Sequence, residues 1–82
     1  MNKDEIKSRV RVVLARVLKV DPETIADNAS QMELSEWDSV LQINVVLALE
    51  SDFGIEFEDA ELQTLTSFPH LVTAIQKHTT AG

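Results

Sequence analysis

A chain of 82 residues with a formal net charge of −7 suits a single domain with a modest core. The absence of Cys excludes a disulfide scaffold, a thiolate metal site and a cysteine nucleophile, so a reactive thiol would have to arrive on a cofactor. Six of the seven Lys and Arg fall in residues 3–19 and the seventh is Lys77, leaving residues 20–76 with twelve Asp and Glu and no basic residue; this argues against nucleic acid and favours basic protein partners reached by electrostatic steering.

Asn2, with Glu5 three residues on, forms a capping box, and Ile6, Val10, Val13, Leu14 and Val17 repeat at helical spacing through Lys19. Lys7, Arg9, Arg11 and Arg16 lie mostly off that apolar stripe. Asp21-Pro22 ends the helix and caps one further turn through Ile25. Residues 26–37 lack sustained periodicity and read as a long loop pinned by Ile25, Met32 and Leu34. Trp37, the only Trp, is either a packing anchor or a contact for a partner or prosthetic group.

Asp38 reads as the N-cap of a second helix, Ser39 as its first residue, and Gly54 as its left-handed C-terminus. Ser39 therefore places a hydroxyl at a helix N-terminus, where free N–H groups and the dipole favour an anion such as a phosphodiester. Between Val40 and Leu49 only Gln42 and Asn44 are polar. Val45, Val46, Leu49 and Phe53 gather on one side; Val40, Ile43 and Leu47 form a second stripe nearer Ser39. Either both stripes are core, or the second needs a neighbouring helix, a bound apolar group or a partner protein.

Beyond Gly54, Ile55-Glu56-Phe57 reads as an extended connector with its apolar residues turned inward. Asp59 or Glu58 caps a short helix through Gln63, carrying Ala60 and Leu62. Thr66 or Ser67 caps a last helix, with Pro69 in its first turn and Phe68, Leu71, Val72 and Ile75 on its buried face through about His78. Residues 79–82 are expected to fray. The fold expected is all-α: one domain over residues 1–82, a small bundle of three main helices plus one short helix, with a long loop between helices one and two.

Catalysis is hard to place on this chain. Ser39 has no sequence-local base, and His70 and His78 read as exposed surface residues. Asp52, Glu56, Glu58, Asp59 and Glu61 lack the spacing of a calcium loop and read as a solvated face, so no metal site is expected. No signal-peptide apolar region opens the chain and no apolar run approaches membrane-spanning length, so no membrane association and a cytoplasmic location are the default expectations.

Asp38-Ser39-Val40 resembles the Asp-Ser-Leu attachment motif of the acyl carrier proteins. The stretch Leu49 to Phe57 is similar to that family's second helix and its exit, and Val20-Asp21-Pro22-Glu23 with Ile25 looks like the turn after its first helix. The resemblance spans nearly the whole chain. It implies a non-catalytic carrier whose Ser39 is esterified by 4′-phosphopantetheine from coenzyme A, with acyl groups held as thioesters on the terminal thiol. Asp38 would aid recognition by the phosphopantetheinyl transferase. Val40, Ile43 and Leu47 would lie along the arm or meet acyl-loading, acyl-transfer or condensing enzymes, with Trp37, Leu41, Asn44 and Glu50 joining that partner face. Glu50, Asp52 and Glu56 would meet basic patches, while Val45, Val46, Ala48, Leu49 and Phe53 would hold the bundle and line an acyl cavity. The carrier would act as a monomer.

Departures from the family pattern bear on the pathway. Ser35-Glu36-Trp37 stands where fatty-acid carriers have a small Gly-Ala-type pair, and the Leu34-to-Asp38 spacing is one residue longer. Leu41, Asn44 and Ser51 replace acidic residues of the second helix. The face is thus more apolar, which points to a specialised fatty-acid, polyketide or other pathway whose partners read shape and hydrophobic contact. Two alternatives stand beside it. One is a peptidyl or aminoacyl carrier, although Asp38 sits where those more often have His. The other is an unmodified acidic interaction module whose second stripe binds a partner's amphipathic helix.

Overall fold

A computed structural model describes residues 2–32, 34 and 36–80. Helix α1 runs Lys3–Leu18, opened by the Asn2 side chain accepting the Glu5 N–H at 2.8 Å. It stops one residue earlier than its periodicity predicts. Lys19 turns left-handed (φ 60°) and its N–H returns to the carbonyls of Ala15 and Arg16, a closure usually made by Gly. A single 3₁₀ turn follows at Pro22–Thr24, capped by Asp21.

Helix α2 spans Ser39–Phe53, between the Asp38 cap and left-handed Gly54 (φ 66°). Helix α3 is the short Asp59–Leu62, and α4 runs Phe68–Thr80. The last helix therefore continues past His78 through Thr79 and Thr80, which were expected to fray; Ala81 and Gly82 lie outside the described residues. The molecule is all-α, with three long helices and one short one among the described residues.

Helix α1 is the hub, packing against α2, α4 and the 3₁₀ turn. It buries Ile6, Val10, Val13, Leu14, Ala15 and Leu18, whereas α2 fully buries only Val45, Val46 and Leu49. An apolar α2 placed on one side of a hub can cover only one of its faces. The basic residues of α1 tie it to its neighbours. Lys7 Nζ and the Arg11 guanidinium both reach Asp27, Arg11 Nε donates to the Ile25 carbonyl at 3.1 Å, and Arg9 donates to the Asp52 carboxylate at 2.7 Å.

The bond from Arg9 ties α1 to α2, and those to Asp27 and Ile25 hold the long loop against the bundle. At its centre Phe68 N–H donates to the Ala29 carbonyl (2.8 Å) and Gln31 N–H to that of Thr66 (3.0 Å), bracketing a lone bridge between Ser30 and Ser67. Ile25 and Ala29 are buried, and Leu34 packs partly on the core. Met32, expected as a pin, is 96% exposed; the smaller Ala29 fills that role because the bridge to α4 draws its backbone inward.

Candidate functional site

Ser39 is exposed at the first position of α2. Asp38 before it is extended, its Oδ1 accepts the Leu41 N–H at 2.8 Å, and its carbonyl accepts the Gln42 N–H at 2.9 Å. That leaves the N–H groups of Ser39 and Val40 at the positive end of the helix, with no acidic residue in the first turn. The pair Ser67 and His70 also brings a hydroxyl to an imidazole, Oγ to Nδ1 at 2.6 Å. There the same hydroxyl accepts the His70 N–H at 3.4 Å, so the contact serves the start of α4.

The loop enters Ser39 through Trp37, whose ring is 1% exposed. Its indole N–H donates to Gln42 Oε1 at 2.6 Å, and Gln42 Nε2 donates to the Leu65 carbonyl at 2.6 Å. Trp37 is therefore a packing anchor in this conformation and does not lie on the partner face to which the sequence reading assigned it.

The two stripes of α2 separate cleanly. Val45, Val46 and Leu49 are buried, with Leu41, Ala48 and Phe53 packed partly against the core. Val40, Ile43 and Leu47 are 71%, 63% and 57% exposed, and Asn44 is exposed beside them. At about 100° per residue, Gln42, Ile43, Val46, Leu47 and Glu50 all lie within about 80° of the direction of Ser39. These five form one wall of an open groove of about 560 Å³, closed on its other side by Ile55, Phe57 and Leu62 and rimmed by Glu56 and Asp59. The groove begins one helical turn below Ser39 and follows α2 for about 12 Å.

Several expected roles shift in this geometry. Val46 lines the groove, whereas Val45, Ala48, Leu49 and Phe53 do not. Leu41 is half-buried on the core. Glu50 uses one carboxylate oxygen to accept the Phe57 N–H at 2.8 Å, and Asp52 is neutralised by Arg9, whose guanidinium also lies 4.6 Å from the Phe53 ring. His78 is not a free surface residue. Its Nε2 meets Glu61 Oε1 at 2.8 Å and its ring stands edge-on to Phe57 at 5.5 Å. The Glu58 N–H donates to the same Glu61 oxygen, and these two bonds hold the Glu61 carboxyl below its ordinary value. Bonds from Lys7 and Arg11 likewise hold Asp27 below the usual carboxylate range. Among the described residues no cluster of ligands suits a metal ion. Gln42, read from sequence only as a polar interruption, joins Trp37 to Leu65; a Gln one turn into an apolar helix was its only signal.

A family described as "Phosphopantetheine attachment site" matches residues 8–75, a span that includes Asp38, Ser39 and the whole of α2. The chain belongs to this family. It is 33% identical to the acyl carrier protein of Thermosynechococcus vestitus across 99% of this chain and 100% of that one. It is 31% identical to the acyl carrier protein of Rubrobacter xylanophilus over the same shares. It is also 33% identical to mitochondrial acyl carrier protein 2 of Arabidopsis thaliana, over 95% of this chain and 62% of that protein. Carriers of this kind hold a group for other proteins to act on, so the chain is a carrier and not an enzyme. No helix among its described residues is long and apolar enough to cross a membrane.

Proposed function

We propose that Ser39 is the attachment point of 4′-phosphopantetheine, transferred from coenzyme A by a phosphopantetheinyl transferase, and that this carrier shuttles acyl intermediates of a specialised fatty-acid or polyketide pathway. The observation that supports this best is the exposed Ser39 hydroxyl on the first residue of α2, within the span matched by the attachment family. Ser39 Oγ forms the ester bond to the phosphorus that carries the pantetheine arm and gives up its proton, while the pyrophosphate P–O bond of coenzyme A breaks and 3′,5′-adenosine bisphosphate leaves. Asp38 fixes the start of the helix, and the positive end of α2 favours the phosphodiester. The bound group supplies a thiol for thioester formation, which a chain without Cys does not have.

Partner enzymes approach the exposed face made by Val40, Ile43, Asn44 and Leu47, next to Ser39, and meet the acidic groups Glu50, Glu56 and Asp59 at the far end of the groove. That order of surfaces supports partners whose docking sites are apolar along the face beside the arm and basic about 16 Å further along the helix. The carrier works as a cytoplasmic monomer. Intact mass before and after incubation with coenzyme A, magnesium and a broad-specificity transferase tests the reading. One added phosphopantetheine in the wild type and none in Ser39→Ala supports it. No gain by folded protein with an active transferase overturns it and leaves an unmodified interaction module.

A further inference from the structure

Gln42 follows Ser39 by three residues, which makes the two side chains neighbours on the surface of α2. Its amide is held at both ends, by the Trp37 indole N–H and by the Leu65 carbonyl, each at 2.6 Å. An indole N–H can only donate and a carbonyl can only accept, so a single orientation of the amide satisfies both. Trp37 and Leu65 are 1% and 0% exposed. Swinging the amide aside would strand a buried donor and a buried acceptor, and the arrangement is therefore closed by default.

The two sides of that amide differ. Outside it lies the groove, with Ile43 and Leu47 open to solvent. On its other side the amide is bonded to Trp37 and Leu65, which are buried in one apolar cluster with Leu49 and Phe68. Gln42 thus lines the groove and at the same time bonds two members of the buried cluster. The bar also ties three segments together: the loop before Ser39, α2, and the connector between α3 and α4.

We propose that Gln42 is a specificity-determining residue of the carrier: braced by Trp37 and Leu65, its amide bars the interior to an acyl chain carried from Ser39 and confines that chain to the open groove. The proposal rests on the reading of Ser39 as the attachment site. A groove open along its side has no end wall, so the carrier discriminates little by chain length. Its rim of Gln42, Glu50, Glu56 and Asp59 accommodates polar substituents on the chain. The thioester stays within reach of solvent and of partner enzymes.

The test loads the full-length protein from acetyl-, octanoyl- and dodecanoyl-coenzyme A, with intact mass confirming each product. Two quantities are then read: the rate at which hydroxylamine cleaves the thioester, and the dependence of Trp37 emission on chain length. In the wild type the three rates should agree within about twofold and Trp37 emission should not vary with the chain. In Gln42→Ala, which removes the bar, the octanoyl and dodecanoyl thioesters should be cleaved about tenfold more slowly than the acetyl one, with emission shifting as the chain lengthens. Gln42→Glu keeps an acceptor for Trp37 and loses the donor to Leu65, and should fall between. A wild type that already protects its longer chains overturns the proposal, as does a Gln42→Ala protein that behaves like the wild type; if that variant does not fold, the wild type and Gln42→Glu decide. Failure to load at all shows in the mass and overturns the reading of Ser39 itself. Loading followed by protection in the wild type overturns only the bar.

Discussion

Asp38 illustrates how one side chain can be assigned two tasks that mutation can separate. Its carboxylate accepts the Leu41 N–H, so Asp38→Ala should lower stability by about 1 kcal/mol, seen as an earlier urea midpoint with an unchanged slope. Asp38→Asn keeps an acceptor in place and should recover most of that loss. A slower loading rate in Asp38→Asn then belongs to recognition by the transferase; equal rates in Asn and wild type would remove that role. Lys19 offers the opposite case, a residue in a conformation that suits Gly. Lys19→Gly should stabilise the protein by about 1 kcal/mol, and an unchanged or earlier urea midpoint would show that the side chain contributes more than its backbone costs. Both ends of α2 and the Asn2 start of α1 were legible because caps depend on neighbours in sequence, whereas the left-handed closure at Lys19 was not. Trp37 was not, since its fate is decided by Gln42 and by Leu65, which lies 28 positions away.

At the scale of elements, α2 carries two apolar faces, and only packing tells them apart. Periodicity finds both stripes but has no polar face to orient them; the hub position of α1 decides which one is covered. Leu49→Ala should therefore cost about 2–5 kcal/mol, a large share of the stability of so small a domain. Leu47→Ala should change it by no more than about 0.5 kcal/mol, since that side chain is already in water. Equal losses in urea titration would mean that the second face is covered in solution. The short helix α3 shows the same limit of local reading. Its cap at Glu58 was visible, but the tie from Glu61 to His78 depends on α4 continuing past His78. The Glu61 carboxyl is held below its ordinary value of 4.5, so its contribution is present above that pH and is lost as pH falls through the lower folded-state value. The Glu58 amide signal followed by NMR should move in that acid range, and Glu61→Gln should abolish the movement. Signals that titrate unchanged in the variant would assign the effect to another carboxylate.

For the molecule as a whole, the distribution of charge sets the response to salt. Three ion pairs join α1 to Asp27 and Asp52, and screening weakens them. Against this stands a net charge of −7, with residues 20–76 free of Lys and Arg. The molecule measures 34 × 26 × 19 Å. At 0.01 M salt the Debye length is about 30 Å, so nearly every carboxylate interacts with every other; at 0.15 M it is about 8 Å and only neighbours do. Exposed pairs contribute roughly 0–1 kcal/mol each, and that contribution is partly retained at contact distance, whereas long-range repulsion is almost removed. Repulsion should therefore dominate the change. Raising salt from 0.01 to 0.15 M should increase Tm by several degrees, on a scale of about 4–8 °C per kcal/mol for a domain of this size. Magnesium at equal ionic strength should raise it further, because a divalent ion gathers more strongly between Glu56, Glu58 and Asp59. A Tm that falls with salt would mean that the bridges from α1 outweigh the repulsion, and that the basic helix holds this acidic bundle together mainly through its charges.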